Sequence, residues 1–382
     1  MQFQSYPFEK LNALIKGVEV ESKEERITLT IGEPQFKTPE IICEKLRDSV
    51  ELLNKYPKST GEDYLKEAMM GFIKRRFNIE LESNQIIPTF GTREVLFNFP
   101  QFYLFDKKAP TIAHPNPFYQ IYEGAAIASR AKSIYMDLTP QNNFMPHLSK
   151  EDMQECDLVI LNSPNNPTGA TMPLDELKKW VEYALEYDFL LINDECYSEI
   201  YSSNPPSGIL EASVAVGNNS FKNILSLNSI SKRSSAPGLR SGFIAGDAKI
   251  LEKYLQYRTY VGCASPLPLQ KAAAIAWEDS AHTQQSRLEY AKNLKSAKEI
   301  FKDKLPLLEI PQNTFYVWLP VQNDLEFTIN LLKKENILAL PGSFLSRLNE
   351  RGQNPGSNFV RLALVYENEV IKEALQRVAK WI

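Results

Sequence analysis

Seven short apolar runs alternate with amphipathic helical patterns through the middle of the chain, and this alternation limits the fold more than any other feature. The runs cover 85–89, 111–113, 133–136, 158–161, 189–193, 224–228 and 242–245. Helical periodicity falls between them at about 92–105, 117–129, 174–187 and 248–260. Apolar strands without polar alternation are buried on both faces, and strands separated by helices pair in parallel. The expected architecture is α/β, a mostly parallel seven-stranded sheet between helices. Ligands on such sheets gather beyond the carboxyl ends of the strands. Each unusual polar cluster in this sequence follows a strand.

The flanks differ. A helix is expected over 7–17, a strand over 27–31, a turn at Gly32-Glu33-Pro34, and helices over 38–53 and 61–78. One long helix is expected from near Leu267 past residue 300. Strand patterns at 314–319, 337–340 and 358–364, with helical patterns at 325–334 and 367–381, predict a smaller α+β domain. A chain of 382 residues has room for two domains. The expected division is a large domain over 46–275 and a discontinuous small one over 1–45 and 276–382.

Charge and cysteine usage narrow the function classes. The net charge is −4, and the basic cluster Lys74-Arg75-Arg76 sits on a helical pattern, which argues against a nucleic-acid binder. Cys43, Cys156, Cys196 and Cys263 form no C-x-x-C pair, so zinc and dithiol chemistry lack support. No signal peptide and no membrane-spanning run is visible, and a cytoplasmic protein is expected.

Five constellations carry chemistry. S-I-S-K-R-S-S-A-P-G-L-R-S-G-F, from Ser229 to Phe243, places Lys232 just after a buried strand, among small hydroxyl residues. A lysine amine attacks carbonyls when burial or nearby cations lower its pKa. Arg240, eight residues on, offers a fork for phosphate. N-D-E-C-Y ends another strand and brings Asp194 to the ligand edge. That carboxylate suits either a protonated ring nitrogen or a helix N-cap. F-G-T-R-E, from Phe90 to Glu94, is a strand-to-helix turn whose free N–H groups suit an anion. In S-P-N-N-P-T-G, Pro167 disfavours a helical conformation at Asn166, so the amide can point at a ligand. Arg361, alone in the apolar strand pattern N-F-V-R-L-A-L, needs a carboxylate from the protein or from a substrate.

Taken in order, N-N-P-T-G, D-E-C-Y, S-x-S-K with its arginine, and the late arginine resemble the class I/II aminotransferases of fold type I, which use pyridoxal 5'-phosphate (PLP). The resemblance spans nearly the whole chain. It implies that Lys232 holds the cofactor covalently and moves the proton, and that Asp194 keeps the ring nitrogen charged. It implies that Tyr197 and Asn166 bond the phenolic oxygen and that Tyr119, in H-P-N-P-F-Y, stacks on the ring. Gly91, Thr92, Arg93, Ser229, Ser231 and Arg240 would cradle the phosphate. Arg361 would clamp the substrate carboxylate with Gly32 and Asn166 beside it. Tyr56, in K-Y-P-K-S-T-G, would reach the phosphate of a second subunit, which implies a homodimer with shared sites.

Y-P-F-E-K-L, D-E-C-Y-S-E-I-Y and S-K-R-S-S-A-P-G-L-R-S-G-F-I-A-G-D are similar to the succinyldiaminopimelate aminotransferase branch. That likeness implies glutamate as donor and a place in lysine and cell-wall precursor synthesis. An aspartate or aromatic aminotransferase keeps the same motifs, as does a PLP-dependent lyase. A ligand-sensing relative would add a DNA-binding extension, and none is expected here. Arg233 either pairs with a substrate carboxylate or faces away.

Overall fold

The structure is a computed structural model, and it describes residues 3–382. Its centre is a seven-stranded sheet of β1 (Ile86–Thr89), β2 (Thr111–Asn116), β3 (Lys132–Asp137), β4 (Leu158–Asn162), β5 (Leu190–Asp194), β6 (Ile224–Ser229) and β7 (Gly242–Gly246). The spatial order is β1-β7-β6-β5-β4-β2-β3. All neighbours pair in parallel except β7, which runs antiparallel to β1 and β6. β2 is longer than its apolar run, because the ladder with β3 continues through His114, Pro115 and Asn116. Pro115 has no N–H to give, and it lies beyond the two residues of β2 that pair with β4.

Successive residues of the strands feed two cores, as a period of two requires. Val159, Leu161 and Leu191 pack with Phe72, Trp180 and Trp277 on one face. Leu158, Ile160 and Ile192 pack with Val95, Phe99 and Tyr254 on the other. The crossover from β5 to β6, where the pattern indicates no helix, carries a short one, Ile209–Ala215.

A second layer contains a three-stranded antiparallel sheet in the order Leu340–Pro341, Phe359–Ala363, Tyr316–Pro320. A short parallel pair, Ile27–Thr28 with Ile337–Leu338, ties the start of the chain to this layer. Ile27 and Leu29 share its core with Leu294, Val317, Val360 and Ile371.

The long helix expected from Leu267 is two helices, Leu267–Glu278 and Ala281–Phe301. Asp279 breaks it. Its backbone is extended, and its carboxylate accepts the N–H groups of Ala281 at 3.3 Å and His282 at 3.0 Å. The boundaries expected at 46 and 276 fall inside helices Glu40–Arg47 and Leu267–Glu278. Ile42 and Trp277 of those helices lie in the core of the large sheet.

Candidate active site

The carboxyl ends of β4, β5 and β6 open into a cavity of about 500 Å³. Lys232 enters it from a one-turn helix, Ile230–Arg233, directly after β6. Ser229 caps that turn by accepting the Ser231 N–H at 3.1 Å. The Lys232 ammonium donates to the Gly32 carbonyl at 2.5 Å. Burial lowers its pKa from the ordinary 10.5 to about 8, with Arg361 and Arg93 acting the same way and Cys196 and Glu33 opposing. Arg233 points elsewhere. It is buried, donates to the Ala276 carbonyl at 2.6 Å, and lies over the rings of Phe72 and Trp277. It cannot read a substrate in this cavity.

Asp194 ends β5 and is 4% exposed. One carboxylate oxygen accepts the Tyr122 hydroxyl at 2.8 Å, and the other accepts the Cys196 N–H at 3.3 Å. Burial raises its pKa, and these bonds work in the opposite direction. No helix starts at Asp194, so it is not an N-cap. Its neighbour Glu195 bonds the Asn193 amide and the Ile209 N–H instead. Asp194 is thus a buried carboxylate that no cationic side chain pairs among the described residues. Such a group is costly unless a cation meets it.

Three arginines in the cavity wall also lack an anionic partner among the described residues. Arg240 uses the carbonyls of Pro237 at 2.8 Å and Phe90 at 3.3 Å. It sits against Gly91, which precedes helix Thr92–Tyr103 with φ 75°. A Cβ on Gly91 would lie 2.2 Å from the Arg240 guanidinium. Glycine therefore lets the cation approach the helix N-terminus, where unpaired N–H groups already favour an anion. The hydroxyls of Ser229 and Ser231, 2.9 Å apart, border the same cavity. Arg93 is the second residue of that helix, and its guanidinium donates to the Tyr119 hydroxyl at 2.6 Å and the Tyr6 hydroxyl at 3.4 Å.

Arg361 is the third. It is 5% exposed and donates to the Asn166 amide oxygen at 2.7 Å and the Thr30 carbonyl at 2.5 Å. Its Nε has no partner among the described residues. The carboxylate that a buried arginine calls for is not supplied by the described residues.

The structure thus brings Gly32, Thr92, Arg93, Tyr119, Asn166, Asp194, Tyr197, Ser229, Ser231, Lys232, Arg240 and Arg361 to one cavity, with Gly91 abutting it through Arg240. Tyr56 is not among them and is fully exposed. The sequence reading missed Tyr6, Tyr122 and Tyr316, all of which line the cavity. Tyr122 sits three residues after Tyr119, and Tyr316 sits in an apolar strand, so both read as core.

A family model described as aminotransferase class I and II matches residues 24–378. The chain is a class I/II aminotransferase. Aminotransferase AspB from Helicobacter pylori 26695 is 52% identical with a TM-score of 0.95, over 100% of this chain and 99% of that one. An aspartate aminotransferase from Thermotoga maritima is 25% identical with a TM-score of 0.85, over 99% of this chain and 97% of that one. The LL-diaminopimelate aminotransferase of Syntrophobacter fumaroxidans is 29% identical over 99% of this chain and 95% of that protein.

Class I/II aminotransferases depend on PLP, and the polar groups of this cavity fit it. PLP carries an aldehyde, a ring nitrogen that gains a proton, and a phosphate. The aminotransferase presents a buried amine of lowered pKa, an unpaired buried carboxylate, and an arginine beside a helix N-terminus.

Proposed function

We propose that this aminotransferase moves an amino group between L-glutamate and the 2-oxo partner of N-succinyl-LL-diaminopimelate, in lysine and cell-wall precursor synthesis. The observation that supports the glutamate half of this reading is the pair of unpaired arginines, Arg361 and Arg93, on separate walls of the Lys232 cavity; the succinylated partner rests on the likeness of the sequence motifs. Two cations suit a substrate with two carboxylates. Arg361 takes the α-carboxylate, with Gly32 and Asn166 beside it, and Arg93 takes the distal one. Bound PLP supplies the electron-accepting ring that acidifies the α-proton of an amino acid.

The chain's own groups do the rest. Lys232 holds the cofactor, then acts as the base that takes the α-proton. Asp194 holds the ring nitrogen in its charged form, and Tyr122 fixes the carboxylate. Tyr197 and Asn166 would bond the phenolic oxygen, and Tyr119 would pack on the ring. Gly91, Thr92, Ser229, Ser231 and Arg240 hold the phosphate, joined by the backbone of Arg93. Two cytoplasmic copies form a dimer in which the exposed Tyr56 reaches the partner's phosphate. Each copy folds as a large domain and a small one, divided before Glu40 and at Asp279 rather than at 46 and 276.

An aspartate aminotransferase would use the same two arginines, and the Thermotoga maritima relative named as an aspartate aminotransferase supports that second reading. Relative kcat/KM for glutamate and aspartate, each paired with the succinylated oxo acid, separates the two. Replacing Arg93 by Met tests the arginine pair. Losing a charged hydrogen bond raises KM for glutamate about tenfold to a hundredfold. KM for alanine, which has no distal carboxylate, stays within about twofold. Equal effects on both amino acids would remove the distal role.

A further inference from the structure

We infer that Tyr316 is a positioning residue that turns the Tyr197 hydroxyl into the cavity and seats Arg361 beside it. This rests on the proposed roles of Tyr197 and Arg361.

Tyr316 opens the strand Tyr316–Pro320 of the small sheet and is 2% exposed. It pairs with Ala363, while Arg361 pairs with Trp318, so Tyr316 and Arg361 are diagonal neighbours on one face. The Arg361 guanidinium lies 4.5 Å from the centre of the Tyr316 ring. A cation over an aromatic face is held electrostatically. The Tyr316 hydroxyl is 3.1 Å from that of Tyr197, which comes from the turn after β5. One side chain thus joins the substrate-binding arginine of the small sheet to a cofactor-facing residue of the large one.

Proton direction gives the bond its consequence. A phenol has one proton to donate. If Tyr197 gave its proton to Tyr316, nothing would remain for an oxygen in the cavity. For Tyr197 to donate into the cavity, Tyr316 must donate to Tyr197, and the proton of Tyr197 then points away from Tyr316. Neither hydroxyl has another hydrogen-bond partner among the described residues. The backbone has made room for this arrangement at Gly32. A Cβ there would lie 1.8 Å from the Tyr316 hydroxyl oxygen. The same glycine's carbonyl accepts from Lys232.

The titratable and charged groups facing Tyr197 are Tyr316 and Arg361 from the small sheet and Cys196 from its own turn. Of these, Tyr316 alone is changed in the test. The experiment compares Tyr316→Phe, Tyr197→Phe and the double variant as PLP-loaded proteins. The readouts are the pH midpoint of the bound cofactor's visible band and KM for glutamate. Tyr197→Phe raises the midpoint by about one to two units, because a deprotonated phenolic oxygen loses a donor. Tyr316→Phe raises it in the same direction by about half a unit, with KM within about twofold because the ring stays under Arg361. The double variant shows no more than the Tyr197→Phe shift, since Tyr316 acts through Tyr197. An unchanged midpoint in Tyr316→Phe beside a shifted one in Tyr197→Phe overturns the inference and leaves the proposed site standing. Additive shifts also overturn it. No shift in either single variant removes the Tyr197 role itself.

Discussion

Replacing Lys232 by Ala lowers transamination by at least about ten-thousandfold. On the proposed roles of Lys232, the variant loses both the base that would take the α-proton and the covalent hold on PLP. The amine is suited to both tasks because burial brings its pKa to about 8. At pH 7 roughly a tenth of such an amine is neutral, against less than a thousandth at the ordinary lysine value. The sign is testable in the wild-type apoprotein. Only neutral amine attacks the aldehyde, so the rate of PLP capture rises with pH and levels off above about 8. A lysine of ordinary pKa would still be gaining at pH 9.5. Borohydride reduction followed by intact mass gives the second check. The wild-type protein gains the mass of one cofactor less the water lost on imine formation plus the two hydrogens of the reduction, and Lys232→Ala gains none. Substantial turnover by the variant contradicts the assignment.

Replacing Asp194 by Ala weakens PLP binding and lowers kcat, each by about a hundredfold to a few thousandfold. The range follows from the cost of leaving one member of a buried ion pair alone. In the intact protein the unpaired partner is Asp194, held by Tyr122 and the Cys196 N–H. In the proposed site, Asp194 would hold the protonated ring nitrogen of PLP as its partner. Removing the carboxylate leaves the ring nitrogen neutral and a poorer sink for electrons. Asp194→Asn separates charge from shape, because it keeps the volume and loses the charge. It should fall nearly as far in kcat. Glu195 cannot take over, since its carboxylate is turned to Asn193 and Ile209. Near-normal kinetics in both variants would mean that Asp194 only shapes the turn after β5.

The residues that end strands were the legible part of this protein. Lys232, Asp194 and Asn166 stand where apolar runs stop abruptly in polar side chains, and the ligand edge of a parallel sheet lies there. Arg361 was legible for the opposite reason, as a charge inside an apolar strand. What escaped were groups whose type suits a core equally well. Tyr122 and Tyr316 carry hydroxyls that matter only because Asp194 and Tyr197 lie opposite them in space. Arg233 shows the converse. Its position beside Lys232 left open a substrate contact or an outward turn, and the second holds because one residue along a helical turn rotates a side chain by about 100°. The reversed strand β7 was hidden too, because strand direction depends on the connection and not on the apolar pattern. The break at Asp279 had a visible cap signal in Asp279-Ser280, overridden by the apolar periodicity on either side.

The first measurement is an absorbance titration of the PLP-loaded protein with L-glutamate and no oxo-acid acceptor. The expected result is that the visible band of the bound cofactor converts to the pyridoxamine phosphate form, with 2-oxoglutarate released in equal amount. A band that persists through saturating glutamate contradicts glutamate as donor, and with it the succinylated substrate proposed here.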